Sequence, residues 1–215
     1  MEGSKIQLSL AEEELMNNAE IILTKNRVLQ KIKLLLEEVQ EKQLQFVENK
    51  NSFRENLFSI PPKISKGENY LGLPFLILDY PRVSTNEDFF FIRSMFWWGN
   101  FFSSTLQVGG KSKEKLQMNL KLKMQLLNER NYYIGINDDK WLHHFESNNY
   151  KKISLLSETE LNAICDRTEH IKIAAYWPLS EWRQAANNLF ESCRCFSIYS
   201  YQLIFLLIVS QGYNV

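Results

Sequence analysis

The densest group of residues that could carry out chemistry lies at 137–144, where the sequence reads NDDKWLHH. A loop with two carboxylates and two imidazoles is typical of metal sites and of acid–base catalysis. The spacing argues against both, because adjacent histidine side chains point in different directions on a strand or a helix. The alternative is structural: an aspartate caps a short helix beside a buried Trp141. We therefore predict no metal site, and retain Asp138, Asp139 and His143 as candidate ligand- or partner-binding residues.

A second group combines one carboxylate with two guanidinium groups. Asp79 and Arg82 lie at the end of a predicted strand, and Arg93 follows in the next apolar segment. Two guanidinium groups near a strand end can hold a carboxylate or a phosphate, because each presents a planar pair of donors. Asp79 could instead pair with Arg82 or Arg93 and satisfy the end of the sheet. We favour this second interpretation, since local ion pairs are common and usually inert. All three residues remain candidates.

Aromatic residues dominate the segment 89–102, FFFIRSMFWWGNFF. On a strand, Phe96 and Trp98 face one side of the sheet and Trp97 faces the other. Dense aromatic residues mostly belong to a core, although exposed tryptophan also marks surfaces that bind a partner or a small ligand. Stacking on nucleic-acid bases is a third interpretation, but Arg93 is the one basic residue among the rings. Trp97 and Trp98 are therefore candidate binding residues.

The composition excludes several classes of protein. The chain has 215 residues with 25 Lys+Arg and 25 Asp+Glu, so there is no bulk positive charge to attract nucleic acid or anionic lipid. It holds no glycine-rich phosphate loop, no G-x-S-x-G segment and no H-E-x-x-H pair. Cys165, Cys193 and Cys195 do not suggest a zinc site, because C-x-C is not the usual ligand spacing. We predict buried free thiols, no cofactor and no nucleic-acid partner.

Both ends of the chain bear on its location. Residues 1–15 lack the basic-then-apolar order of a secretory signal, and three cysteines are too few for a disulfide framework. We therefore predict a cytoplasmic protein. Residues 196–209 are strongly apolar, but only 203–209 are free of polar residues. A membrane-spanning helix needs about 20 apolar residues, so we favour a buried terminal element over a membrane anchor.

A long amphipathic helix is predicted near the N-terminus. Ser9 followed by Glu12 has the spacing of a capping box, and no Pro or Gly occurs from there to about residue 49. Apolar residues recur three, four or seven apart along 22–46, which gives one helical face. The polar run 25–27 is a place where one helix could become two. We favour packing of this face onto the protein's own sheet, with a coiled-coil or dimer seam as the alternative.

The rest of the chain alternates predicted strands and short helices. Residues 53–67 look irregular, because Pro61–Pro62 forbids a helix and a turn signal follows. Strands are predicted at 70–80, within 89–108, at 131–137 and at 170–176, and helices at 111–129, from 157 to about 166, and from about 181.

This order predicts an α+β fold in a single domain spanning 1–215. A largely antiparallel sheet packs against the long N-terminal helix or helix pair, and a C-terminal helix completes the domain. Its parts are a helical element at 10–50, an α+β core at 68–190 and an apolar element at 191–215.

Three segments carry a resemblance to a known family: LGLPFLILDYPR at 71–82, FIRSMFWWGNFF at 91–102 and YYIGINDDKW at 132–141. Together they resemble a family of bacterial proteins of about this length whose activity is uncharacterised. The resemblance covers about residues 8–190, and the residues from 193 onward depart from the polar amphipathic helix that it implies. It implies a bacterial cytosolic origin and no particular mechanism.

Taken together, these features predict a non-enzymatic protein that acts by binding another protein or a second copy of itself. The binding surface is expected on the aromatic-rich sheet region or on the N-terminal helix. The alternative is a small-molecule-binding protein or hydrolase whose pocket collects Asp79, Arg82, Arg93 and Trp98. A concave pocket with these side chains around empty space favours the alternative, whereas a large exposed apolar patch favours the binding protein.

Overall fold

The computed structural model describes residues 5–49, 57–86 and 88–210, with side chains except at 119, 121–126, 128–129 and 198–210. The α-helices of this part are α1 (Leu10–Asn17), α2 (Ala19–Glu48), α3 (Gly110–Glu129), α4 (Glu158–Arg167) and α5 (Trp182–Ser210). The strands are β1 (Lys63–Tyr70), β2 (Leu73–Ser84), β3 (Phe89–Trp97), β4 (Phe101–Gly109), β5 (Tyr133–Gly135), β6 (Tyr150–Lys152) and β7 (His170–Pro178). Short 3-10 helices lie at Ile153–Leu155 and Leu179–Glu181.

The seven strands of the described chain form one antiparallel sheet in the order β1–β2–β3–β4–β7–β5–β6. The first four strands form a meander. The chain then leaves the sheet through α3, forms β5, β6 and α4, and returns as β7 between β4 and β5. The predicted α+β fold, with an antiparallel sheet, a long N-terminal helix pair and a C-terminal helix, is confirmed.

The helices cover one face of the sheet. Leu78 of β2 and Phe102 of β4 pack with Leu36 of α2 and Leu189 of α5 in one apolar cluster. A second cluster on the same face joins the sheet to α3, α4 and the middle of α5; its fully buried members include Ile92, Leu106, Leu120, Leu161 and Phe196. The core therefore lies in a layer between the sheet and the four helices α2, α3, α4 and α5.

The opposite face of the sheet is covered by the connection between β5 and β6, residues 136–149. Met95, Trp97 and Phe101 point to this face and are buried. Phe145 of the connection lies edge-on to Phe101, with ring centroids 5.2 Å apart. Because both faces are covered, β4 is buried at every position, as in a central strand with no solvent-facing side.

The N-terminal region is two helices. At the start of α1, the Ser9 hydroxyl accepts a hydrogen bond from the Glu12 N–H, and the Glu12 carboxylate accepts one from the Ser9 N–H, as the predicted capping box requires. The helix breaks at Asn18, where φ is −100° and ψ is 84°. α1 buries no residue, and the buried residues of α2 start at Leu29.

The predicted break at 25–27 is wrong. Lys25 pairs with Glu68 of β1 at 2.6 Å, and Arg27 pairs with Glu20 on the preceding turns of the same helix. The polar run therefore lies on the outside of a continuous helix, where charged residues are satisfied without interrupting the backbone.

Two strand predictions also need correction. The residues from Lys63 to 67, predicted to be irregular, belong to the edge strand β1. β2 does not end before Pro81 but continues to Ser84, because its register against β3 shifts between Asp79 and Arg82. At such an irregularity the ladder needs no N–H from proline.

The apolar C-terminal segment continues α5. Phe196 and Ser197 are buried, while the side chains of 198–209 lie outside the described residues. In the described part of the chain, no helix combines the length and apolarity needed to cross a bilayer. The three cysteines are free and buried, and burial raises the pKa of Cys165 to about 11 and that of Cys193 to about 12. Both residues are therefore thiols at neutral pH.

Truncation of Leu36 tests the packing of α2 on the sheet. Leu36 is fully buried, so Leu36→Ala should lower the free energy of unfolding by about 2–5 kcal/mol through lost burial and a residual cavity. Leu155 is 79% exposed, so Leu155→Ala is a matched control with an expected effect within about 0.5 kcal/mol. Chemical denaturation followed by circular dichroism measures both. Equal effects of the two changes would contradict the packing described here.

Candidate functional site

Buried polar side chains of the sheet bind the connection 136–149 that lies over them. Lys172 of β7 is fully buried and points into this layer. Its Nζ donates to the Leu142 carbonyl oxygen at 2.9 Å and lies 3.4 Å from both the Asp139 carbonyl oxygen and the Asn149 side-chain oxygen. One lysine therefore holds three points of the connection against the sheet.

The neighbouring strand leaves room for this lysine. A Cβ atom at Gly135 would lie 2.8 Å from the Lys172 Cε atom, so any larger residue there would displace the side chain. Burial lowers the pKa of Lys172 to about 8, and Asp139 offsets part of this effect. The ammonium is still mostly protonated at neutral pH, and its carbonyl partners fit that charged state.

Asp79, Arg93 and His143 form a second contact between sheet and connection. The Arg93 Nε and Nη2 atoms donate to the two Asp79 carboxylate oxygens at 2.8 and 2.9 Å, and both side chains are only 14% exposed. The Arg93 Nη1 atom lies 3.0 Å from His143 Nε2. Because a guanidinium can only donate, His143 Nε2 is the acceptor and its proton is on Nδ1. Burial first, then the charges of Arg93 and Lys172, lower the pKa of His143 well below its usual value, so the ring is neutral.

Tyr70 adds a third contact. Its hydroxyl accepts hydrogen bonds from the backbone N–H groups of His143 and His144, the latter at 3.1 Å. The indole N–H of Trp97 donates to the Tyr70 carbonyl oxygen at 3.1 Å, and the two rings lie 5.0 Å apart. Trp97 is therefore an internal residue, fixed by a hydrogen bond at its polar end.

The remaining candidates lie elsewhere. Arg82 donates from Nε to the Pro61 carbonyl oxygen at 2.7 Å, away from the Asp79 pair. Trp98 lines an apolar groove of about 350 Å³ on the helix side of the sheet, with Val28, Ile32 and Trp182. The four side chains expected in one pocket are thus divided between a closed ion pair, a surface hydrogen bond and an apolar groove.

Asp138 and Asp139 lie in an open polar cleft of about 490 Å³, together with Lys140, Trp141 and His170. An Asp139 carboxylate oxygen accepts the Trp141 N–H at 2.8 Å, which is a structural turn contact. Lys140 Nζ lies 4.8 Å from the centroid of the Phe89 ring. Within the described residues, no group of three or more His, Cys, Asp or Glu side chains could hold a metal ion.

Lys172 and Tyr70 were not among the candidates predicted from the sequence. In HIKIAAY, the alternation of polar and apolar residues points Lys172 to the side opposite the apolar core, which on most sheets is solvent. Its partners are the Asp139 and Leu142 carbonyl oxygens and the Asn149 side chain, so the signal is the connection itself, whose buried carbonyl groups need donors.

The second notable surface is the N-terminal arm, defined here as residues 6–23. Its large apolar side chains are exposed in the described structure: Ile6, Leu8, Leu10, Leu15, Met16, Ile21, Ile22 and Leu23. Leu10 is 80% exposed and Met16 69%. This surface is as apolar as a protein interface, and no described element of the chain covers it.

No protein-family model matches the chain. No curated protein matches it, and no solved structure does. Function must therefore be inferred from the contacts and surfaces of this molecule.

Removal of the Asp79 carboxylate tests the closed ion pair. Asp79→Ala leaves a partly buried guanidinium without its counter-charge, so the free energy of unfolding should fall by about 3 kcal/mol. The control is Lys25→Ala, which breaks the exposed Lys25–Glu68 pair and should cost about 1 kcal/mol or less. Urea denaturation of the two variants gives the comparison. A negligible effect of Asp79→Ala would show that the pair does not stabilise the fold.

The buried imidazoles predict a loss of stability in mild acid. Burial first, with Lys172 and Lys140, lowers the pKa of His170 to about 4, and that of His143 is also depressed. Below pH 6.5 the unfolded chain therefore binds protons that the folded chain does not, and stability falls as pH falls from 7 to 5. Each imidazole contributes up to about 2 kcal/mol over this range. The free energy of unfolding, measured by denaturation between pH 7 and 5, should fall less steeply in the His143→Gln and His170→Gln variants. An equally steep fall in both variants would contradict the assignment of this pH dependence to the buried imidazoles.

Proposed function

We propose that this chain is a non-enzymatic protein that acts by binding another protein through its N-terminal arm, residues 6–23. The observation that carries the proposal is the exposure of several large apolar side chains in a region whose first helix, α1, buries no residue. Complete burial of one leucine or isoleucine side chain is worth about 1.5–3 kcal/mol. A surface that leaves several such residues in water is therefore stabilised by a partner that covers them.

Of the two surfaces considered from the sequence, the arm is better supported than the aromatic sheet. Trp97 and Phe101 are buried, and the ring of Phe145 packs on this side of the sheet. Trp98 is half-buried in its groove and offers one partly exposed ring. Burial in the core thus explains the aromatic residues of the sheet, whereas no described element buries the apolar side chains of the arm.

The charges of the arm favour a protein partner over lipid or nucleic acid. α1 carries Glu12, Glu13 and Glu14, and it contains no basic residue. Helices that lie on anionic membranes need a basic polar face, and nucleic-acid surfaces need cations that neutralise phosphates. An acidic apolar helix is suited instead to an apolar groove with a basic rim.

The enzyme alternative has weaker support. A pocket that uses Asp79 and Arg93 needs both to face empty space, but Arg93 binds Asp79 and His143 instead. The hydrogen bonds of Lys172 likewise go to the protein's own carbonyl and amide oxygens. In this proposal, the described charged groups beneath the connection therefore stabilise the fold.

The proposed location is the bacterial cytoplasm. Three free, buried thiols fit a reducing compartment, and the family resemblance of the segments at 71–82, 91–102 and 132–141 is to bacterial proteins.

Comparative affinity purification from the source cells tests the proposal. The unchanged chain and the variant Leu15→Gln/Ile22→Gln are used as baits; glutamine keeps helix propensity while removing apolar surface. We expect binding of the captured proteins to weaken about thirtyfold with the variant, since two contact residues at about 1 kcal/mol each account for such a change. Denaturation midpoints should stay equal, because both positions are exposed.

The matched control is Leu155→Gln, a change at an exposed leucine far along the chain from the arm. It should capture the same proteins as the unchanged chain. Retention of every captured protein by the arm variant would refute the arm as the binding surface.

A further inference from the structure

A groove between α2 and α5 has the shape and charge to receive a helix. It has a volume of about 510 Å³, and its apolar lining includes Leu34, Leu35, Trp182 and Ala186. Leu34 is 55% exposed and Trp182 40%, so apolar surface remains open to solvent there. The groove runs along two long helices that pack on each other.

Three basic residues and one acidic residue, Glu38, line this groove. Lys42 is paired with Glu38 at 2.7 Å on the same helix. Lys31 and Arg183 also line the groove, and neither has an ion-pair partner in the described structure. An acidic segment that enters the groove would gain two new ion pairs.

α1 has the complementary character. Glu12 is already occupied in the capping box, but Glu13 and Glu14 make no side-chain ion pair with described residues. Leu10, Glu13 and Glu14 are three and four residues apart and share one face of the helix. That face presents an exposed leucine flanked by two unpaired carboxylates.

We propose that α1 of one molecule lies in the α2–α5 groove of a second copy, and that the reciprocal contact forms a two-fold dimer. The inference deepens the proposed function by naming a second copy as the partner of the arm. The single chain supplies both an acidic apolar helix and a basic apolar groove, which is the self-complementarity that a two-fold interface requires. Charge complementarity then fixes the orientation, and the apolar contacts supply affinity.

The spacing along the chain fits this arrangement. If the two α2 helices run antiparallel and cross at Ile22 and Leu23, these exposed residues are buried at the axis. Glu14 precedes Leu23 by nine residues and Lys31 follows it by eight. At 1.5 Å per helical residue, Lys31 lies about 12 Å along α2 from the crossing. Glu14 lies in α1, beyond the break at Asn18, at most about 14 Å from the crossing, so Glu14 of one copy and Lys31 of the other lie at similar distances from the axis.

Light scattering of the purified full chain is the first test. Across about 1–200 µM protein we expect the mass to rise from that of the 25.4 kDa chain toward twice that value. A monomer throughout this range overturns the inference. The proposed function would survive that result if affinity purification still captured other proteins through Leu15 and Ile22, so the two failures are distinguishable.

Charge reversal is the second test. Glu13→Lys/Glu14→Lys and Lys31→Glu/Arg183→Glu each place like charges at both reciprocal contacts, so each variant alone should dimerise at least about tenfold more weakly. An equimolar mixture restores opposite charges at both contacts and should form a mixed dimer. The four changes combined in one chain should also restore the dimer.

Lys111→Glu is the control for net charge, because Lys111 is exposed at the start of α3. It should leave the dimer unchanged. Dimers that persist in both charge variants, or a mixture that stays monomeric, would overturn the inference. Circular dichroism of each variant verifies that the fold is retained, since all four altered positions are at the surface or half-buried at its edge.

Discussion

The need to cover both faces of a seven-stranded sheet is the constraint on which the rest of this structure depends. Helices cover one face with apolar side chains, and that contact needs only complementary shape. The other face carries Lys172, Asp79 and Arg93 beside aromatic rings. Buried charges are stable only when they are paired or hydrogen-bonded. The connection 136–149 supplies those partners, with carbonyl oxygens for Lys172 and an imidazole for Arg93.

This arrangement explains why residues typical of active sites lack an accompanying pocket. The Arg93 guanidinium binds both the Asp79 carboxylate and the His143 imidazole. Their effect is to fix a loop over a sheet that would otherwise expose Trp97 and Phe101. The apolar surface that the described fold leaves in water is concentrated on the arm and in the α2–α5 groove, which is why both proposals are placed there.

Much of the fold was predictable where the signal is local. The predicted capping box at Ser9 forms, and Ser157 with Glu160 forms a second one, because the bonds of this motif join residues three positions apart. The strand at His170 and the helix that starts at Trp182 follow from alternation and from Pro178. Predictions failed where distant residues decide the outcome: 25–27 remains helical with Lys25 paired to Glu68 of β1, and β2 passes Pro81 through an irregularity in its pairing.

The candidate site was predictable only in part. The proximity of Asp79 to Arg93 follows from two strands joined by a short connection, and the structure adds a third partner, His143, fifty positions away from Arg93 in the chain. No local pattern places residue 143 over residue 93. That contact depends on the insertion of β7 between β4 and β5, and on the path of the connection 136–149 across the sheet.

The sequence by itself determined the class of fold, the two capped helix starts and the neutral balance of charge, because these depend on periodicity, short-range hydrogen bonds and composition. The tertiary structure alone decided that Trp97 is core, that Lys172 is a buried support and that the arm stands uncovered by described residues. Burial is a property of which elements meet, and the same alternating strand exposes or hides a side chain according to what the rest of the chain lays over it.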